Sequence, residues 1–345
     1  MNFLSLPIIE IALSLIISWA LFAIFCSLLQ ETAVQLKNER GRFFKQQLLR
    51  QLNDAPNQIN WASLLYTHPS FDILSRAYNK PPSEISAKIF SEALVEVVAN
   101  AHKVQSKKLD TELMSTLPVG TYENALLNDF ALATKVLMPS ELLALLSSSL
   151  NKAEIRAGSS KDRSDEKVYN FLIEEISDWF NQLSNRTSSW YRKLTKRRLF
   201  FLGLILSVAL NINSITLFQY FSQNPAARTA LIAYYEKNKD QLEAIAKKYD
   251  QSTGPHDSIT LNTIKTDVLV LKTNIDSLAV ANEIPIGWQH SVKKEPMKCH
   301  TIGDYFNRFL NFIIYLLGFM LTAFAASAGA PFWFELLKKA YTLKK

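Results

Sequence analysis

The chain has 345 residues, of which 48% are apolar and 20% charged, with a net charge of +7 and a mean hydropathy of +0.01. That mean hides three stretches without a charge, Ile11 to Leu29, Leu199 to Phe221 and Phe309 to Phe334, of 19, 23 and 26 residues by subtraction. At ~1.5 Å per helical residue each can cross ~30 Å of hydrocarbon, which excludes an ordinary soluble enzyme. Only 9 glycines and few alternating apolar and polar runs disfavour a membrane β-barrel.

The basic residues gather at the edges of these stretches. Lys37, Arg40, Arg42, Lys45 and Arg50 follow the first; Arg186, Arg192, Lys193, Lys196, Arg197 and Arg198 precede the second; Lys338, Lys339, Lys344 and Lys345 follow the third. Such clusters read as topology signals and as contacts to anionic lipid headgroups on the cytoplasmic side. Arg192, Lys193, Lys196, Arg197, Arg198, Trp333, Lys338 and Lys339 are the expected headgroup residues. No nucleic-acid partner is expected from charge placed in this way.

In chain order, residues 1–29 predict a first transmembrane helix with its N-terminus outside, because no Lys or Arg precedes Glu10. A cleaved leader fits poorly: there is no basic start, the apolar run is too long and no A-x-A site precedes Gln30. Glu10 is expected as an interfacial residue near the headgroups. Residues 30–198 predict a cytoplasmic all-helical domain. The first helix is expected to continue to about Leu52, on the period Ala33, Leu36, Phe43, Phe44, Leu48 and Leu52. Asp54 to Asn60 breaks it, a short apolar piece covers Trp61 to Tyr66, and Lys80-Pro81-Pro82-Ser83 marks a turn. Ile85, Ile89, Ala93, Leu94, Val97 and Val98 then trace one apolar stripe to about His102. Further helices are predicted for Tyr122 to Val136, Ser140 to Ala153, and from Glu166 onward, the last entering the second stretch continuously or with a bend near Asn185 to Ser189.

Residues 199–221 predict the second transmembrane helix, with Ser207, Asn211 and Ser214 on one face and Asn213 pointing elsewhere. In hydrocarbon these groups want interhelical hydrogen bonds; lining a pore is the alternative. Residues 222–308 predict an exterior helical region. Pro225 to Tyr249 reads as one helix ending at Gly254-Pro255, and Thr260 to Val280 as a second. Within the latter, Leu261, Ile264, Val268, Leu271, Ile275 and Leu278 are spaced 3, 4, 3, 4, 3. This seam suits either a hairpin against Leu231, Leu242 and Ile245 or a short coiled coil between protomers. Residues 309–331 predict the third transmembrane helix. Gly318, Thr322 and Ala326, with Gly329 nearby, form a small-residue stripe that lets another helix approach. Pro331 breaks the backbone bonding, and residues 332–345 form a basic, interfacial cytoplasmic tail.

No phosphate loop, G-x-S-x-G, H-E-x-x-H or G-x-G-x-x-G string is present, so no enzyme activity, cofactor or metal is expected. His68, before Pro69, reads as a turn-former. Cys26 and Cys299 face different compartments and are not expected to pair, and Cys299 with His290 and His300 lacks a metal-site spacing.

Several strings together resemble a family of uncharacterised bacterial inner-membrane proteins with three predicted transmembrane helices. They are Tyr66-Thr67-His68-Pro69, Lys80-Pro81-Pro82-Ser83, Trp190-Tyr191-Arg192, Leu210-Asn211-Ile212-Asn213-Ser214, Pro285-Ile286-Gly287-Trp288 and Gly329-Ala330-Pro331-Phe332-Trp333-Phe334. The resemblance implies an inner-membrane location and a shared topology, and carries no activity. The family's second-span pattern often has Asp where Asn213 stands. The expected function is a membrane anchor or scaffold whose cytoplasmic domain recruits a protein partner, within a homo-oligomer or a complex. The alternative is an oligomeric, pore-forming or membrane-perturbing effector.

Overall fold

The computed structural model of the chain describes residues 7–74, 80–106, 122–158, 164–249, 261–282, 284–288 and 302–342. Cys299, His290, His300, the Gly254-Pro255 stop and the final lysines Lys344 and Lys345 lie outside the described residues. Regular structure is helical throughout apart from one small antiparallel hairpin, β1 (Asn53–Asp54) with β2 (Ile59–Asn60). The helices are α1 (Pro7–Lys37), α2 (Glu39–Gln51), α3 (Trp61–Leu65), α4 (Pro69–Asp72), α5 (Ala87–Ser106), α6 (Ala125–Val136) and α7 (Glu141–Gly158). They continue with α8 (Asp165–Ala209), α9 (Ser214–Gln223), α10 (Pro225–Lys248), α11 (Leu261–Asn282), α12 (Ile302–Ala328) and α13 (Ala330–Thr342). The fold class is all-α, as the apolar periods predict.

The chain divides into two compact units, Asn38–Tyr191 and Met1–Lys37 with Arg192–Lys345. In the unit Asn38–Tyr191, the apolar stripes of α2, α5, α6, α7 and the first part of α8 converge on one core, with Trp61, Phe71, Phe90, Phe130 and Phe180 wholly buried. Phe90 and Phe180 stack with ring centroids 4.0 Å apart. The loop from Asp54 to Asn60 is held by a buried carboxylate. Asp54 Oδ2 accepts from the Trp61 indole at 3.0 Å, from Asn57 Nδ2 at 3.0 Å and from the Ser140 hydroxyl at 3.0 Å. Asn57 in turn exchanges two bonds of 2.9 Å with the backbone of Met138. These three donors, with the Asn57 N–H on Oδ1 at 3.4 Å, repay the buried carboxylate its loss of water, and a wholly local stretch is thereby tied to the turn between α6 and α7. His68 caps α4: its Nδ1 accepts from the Ser70 N–H at 3.3 Å, so Nε2 carries the proton and donates to Glu96 at 2.9 Å.

The first helix does not continue to Leu52 as expected. Asn38 stands between α1 and α2 in the left-handed region, φ 45° and ψ 46°, where Asn is tolerated and most side chains are strained. Its amide donates to the Pro81 carbonyl at 3.1 Å, which fixes the stop. The bend weighed near Asn185 to Ser189 is not found, since α8 passes through these residues unbroken.

The second unit is built around α1. Helices α9 to α13 all pack on it, and no residue of α1 from Leu13 to Thr32 is exposed. Its residues Ile17, Ala20, Ala23, Ile24 and Leu28 are buried, while Leu15, Phe25 and Leu29 on one face are half-buried, so most of the apolar surface of α1 is taken up by its neighbours. Helix α10 lies along it lengthwise, burying Ala227, Leu231, Tyr235, Leu242 and Ile245 in the core that α1 fills with Leu13, Ile17, Leu21, Ile24 and Leu28. Near the start of α1, the buried Arg228 pairs with Glu10 at 3.2 Å and donates to the Phe221 carbonyl at 2.6 Å. At the other end, Tyr249 lies within electrostatic reach of Glu31. The described helices of residues 222–308 therefore pack along the first helix rather than apart from it. An amphipathic period says that one face is covered and leaves open what covers it. Here α1 itself does.

Ile264, Val268 and Leu271 of α11 enter the same core as Leu231, Leu242 and Ile245. Asp267 on α11 accepts from both Lys248 and the Tyr249 hydroxyl at 2.6 Å. Burial, and the carboxylate that it faces, push the Tyr249 phenol well above its ordinary range. Helix α12 ends at Gly329, φ 84°, whose N–H returns to Ala326 at 3.1 Å. The stop expected at Pro331 thus falls two residues earlier, and Pro331 sits in the first turn of α13, where its missing N–H costs nothing.

Among the described residues two helices, Pro7–Lys37 and Tyr305–Ala328, are long and apolar enough to cross a membrane. Asp165–Ala209 with Ser214–Gln223 meets the same test only as a pair bent by 57°.

Candidate functional site

The second apolar stretch is not the continuous helix that its period predicts. It stops at Ala209, turns through Leu210-Asn211-Ile212-Asn213 and restarts at Ser214. Both asparagines have a defined part in this. Asn211 is left-handed, φ 50°; its N–H donates to Val208 at 3.2 Å and that of Ile212 reaches back to Ser207 at 2.8 Å. This pair of bonds is a Schellman stop, with Asn in the place where glycine is commonest. Ile212 folds onto the cluster of Phe22, Cys26, Leu199 and Ala326 that Leu206 also joins, completing the apolar contact that accompanies such stops. Two residues on, Asn213 is the N-cap of α9, its Oδ1 accepting from Ile215 at 3.0 Å and Thr216 at 3.2 Å.

Breaking a helix among apolar side chains frees backbone groups, and each left unpaired there costs ~1–3 kcal/mol. Here they are collected. The Leu210 carbonyl accepts from the Gly287 N–H at 2.9 Å, and Asn211 Nδ2 donates back to the Gly287 carbonyl at 3.0 Å. Gly287 can do this because it sits at φ 94°, which a side chain would resist. The Tyr315 hydroxyl donates to Asn211 Oδ1, and Asn213 Nδ2 donates to the Tyr315 carbonyl at 2.7 Å. The Ser214 N–H donates to Thr322 Oγ1 at 3.1 Å; the two hydroxyls lie 2.8 Å apart, and the Trp19 indole donates to Ser214 Oγ at 2.9 Å. Thr322 itself donates to the Gly318 carbonyl at 3.0 Å. The site is a polar knot joining α1, the broken pair α8 and α9, the segment at Gly287, and α12.

The residues singled out by sequence are distributed as follows. Asn211, Asn213, Ser214 and Thr322 meet in the knot, all buried. Asn213 does not point elsewhere but caps α9 and bonds α12, a correction that follows from the break, because helical facing no longer applies across it. Ser207 is buried and bonds within its own helix to the Leu204 carbonyl at 2.9 Å. A Cβ on Gly318 would overlap the Asn213 carboxamide, so Gly318 is the space in which that side chain lies. Ala326 packs where Gly203 of α8 brings the two backbones together; a Cβ at Gly203 would stand 2.8 Å from the Ala326 methyl. Gly329 ends α12 and lies outside the knot.

Of the expected headgroup residues, Arg192, Lys193, Lys196, Arg197 and Arg198 are exposed on α8, and Lys339 is exposed on α13. Lys338 pairs with Glu243 at 2.5 Å. Trp333 departs from expectation: it turns inward, its indole donating to the Ala325 carbonyl at 2.8 Å and its ring 4.9 Å from that of Trp19. That carbonyl is among those freed where α12 ends, and the indole N–H satisfies it.

Trp19, Tyr315, Gly203 and Gly287 were missed in the sequence. Spacing alone could have suggested Gly203, which lies four residues before Ser207 on a helix of large apolar side chains. Among the described residues no group of three or more His, Cys, Asp or Glu is placed to hold a metal ion. Comparison with models of protein families, with curated proteins and with solved structures gives no match.

Proposed function

We propose that the chain is a non-enzymatic anchor or scaffold of the bacterial inner membrane, whose helical unit Asn38–Tyr191 lies on the cytoplasmic side and recruits a protein partner. The observation that carries this over a pore is the knot itself. Asn211, Asn213 and Ser214, the side chains that a polar conduit would need to present, are buried and engaged with Tyr315, Thr322 and Gly287 of the same chain. Polar groups bonded in this way hold helices together. Further support comes from the unit Asn38–Tyr191, which has a complete core of its own and continues at one end into a helix that meets the length and apolarity of a span, and at the other into α8, which meets them only together with α9. The basic residues flanking those helices favour the cytoplasmic side for this unit.

Extraction of the tagged, full-length protein in mild detergent, followed by native mass measurement, tests the proposal. A stoichiometric cytoplasmic protein is the expected companion. A partner-free oligomer of fixed subunit number that supports ion flux across reconstituted liposomes would instead establish the pore.

A further inference from the structure

We infer that the chain meets lipid on one side of the unit around α1 only, through α12 and the apolar part of α8, and that α1 is enclosed by protein. This rests on the membrane location proposed above. From Tyr305 to Phe312 every residue of α12 is exposed, with Phe306, Phe309 and Phe312 each about 60% accessible, and no charge occurs from Phe309 to Phe334. A protein partner covers one face of a helix, whereas a solvent covers all of them. The exposed surface runs all round α12 from Tyr305 to Phe312, where Asn307, Arg308 and Asn311 are its polar members, and continues as one apolar face through Leu317, Leu321 and Phe324; a polar end leading into a long apolar face fits headgroups and acyl chains rather than a groove in another protein.

The neighbouring part of α8 extends this surface. Lys193, Arg197, Phe201, Ile205 and Val208 follow one another at steps of 4, 4, 4 and 3, so they form a single helical stripe, all of it exposed. The stripe changes from basic to apolar within one turn, between Arg197 and Phe201. Phe200 lies against Phe324 at 5.3 Å and Gly203 against Ala326, so α8 meets the end of α12 at this turn. Leu199 and Ala326 share one cluster. Both apolar surfaces thus end at one level, with the basic residues of α8 beyond it. That is the order of a hydrocarbon edge followed by anionic headgroups. From this level the 24 residues of Tyr305–Ala328 extend ~36 Å, enough to cross, while α8 from Leu199 to Ala209 extends ~16 Å, about half.

The faces of α10 and α11 cannot be covered by lipid in the same way. Helix α10 exposes Glu236, Lys237, Lys239 and Asp240, and α11 exposes Lys265 and Lys272. Within the unit, Ile17, Ala20 and Ala23 of α1 are at most 1% accessible. Their apolar surroundings are side chains, although α1 by length and composition could cross a membrane alone.

Photolabelling of the full-length, unmodified protein in phosphatidylcholine–phosphatidylglycerol vesicles with a lipid-soluble diazirine, followed by peptide mapping, tests this. Label is expected in α12 and in Phe201 to Val208, several-fold above that in Leu13 to Leu28. Equal labelling of α1 and α12 would overturn the inference and leave the membrane location standing. An unlabelled α12 that cross-links to a second copy would assign the face to self-association and also overturn it. Loss of the protein from the vesicles in an alkaline carbonate wash, with no label anywhere, would instead defeat the membrane location itself.

Discussion

At the scale of single residues, the knot depends on an absent side chain. Gly318 leaves the volume that the Asn213 carboxamide occupies, and that carboxamide both caps α9 and bonds the Tyr315 carbonyl. A methyl at Gly318 has no soft neighbour to displace, because Asn213 is fixed at three points. Gly318→Ala is expected to cost ~1–3 kcal/mol, in the range of overpacked cores, and to lower the thermal midpoint of the detergent-solubilised protein. A midpoint within error of the wild type would show that Asn213 has another place to go. In the sequence, Gly318 was legible as a small residue in a stripe with Thr322 and Ala326. Its partner was not, since a stripe states that something approaches and not what.

Among the elements, the broken helix shows why periodicity failed there. Apolar spacing over Leu199 to Phe221 is continuous, so by spacing alone the stretch reads as one helix. The information lay in residue type: Asn is favoured both in the left-handed stop and at the N-cap, and Asn-Ile-Asn supplies one of each at the shortest workable separation. The same signal at Asn38 ends α1. By contrast α6, α7, α10 and α11 were legible to within a few residues, because each buries one stripe and carries its own stop or start. The break orders a set of variants. Asn211→Gly retains the left-handed backbone but loses the bonds to Gly287 and Tyr315; Asn211→Leu loses these and adds ~1–2 kcal/mol of left-handed strain. Thermal stability in detergent is expected to fall in the order wild type, Gly, Leu. A Leu variant as stable as the Gly variant would contradict a left-handed Asn211.

For the whole molecule, two separate cores imply two separable unfolding events. Guanidinium titration of the full chain in detergent, followed by tryptophan fluorescence, is expected to give two transitions, with Trp61 and Trp179 reporting one core and Trp333, with the Trp19 ring against it, reporting the other. Gly318→Ala should move only the second. A single transition, shifted as a whole by this substitution, would show that the units stand or fall together. The division itself was only partly legible. Apolar stretches mark where a chain can leave water, but they do not say whether lipid or protein receives them, and α1 and α12 were indistinguishable in that respect.

The enclosed position of α1 has a consequence for how the chain is made. From Lys37 to the start of α10 at Pro225 the chain adds 188 residues by subtraction, and α12 and α13 come later still. At ~5–20 residues per second of synthesis, α1 waits about 10–40 s for the helices that will surround it. During that interval its apolar surface needs a temporary host, and its own length makes the bilayer a suitable one. On the membrane location proposed above, the later helices have to replace that host around a segment already in place, so that translation order, and not only the final packing, selects which of the apolar stretches keeps its contact with lipid.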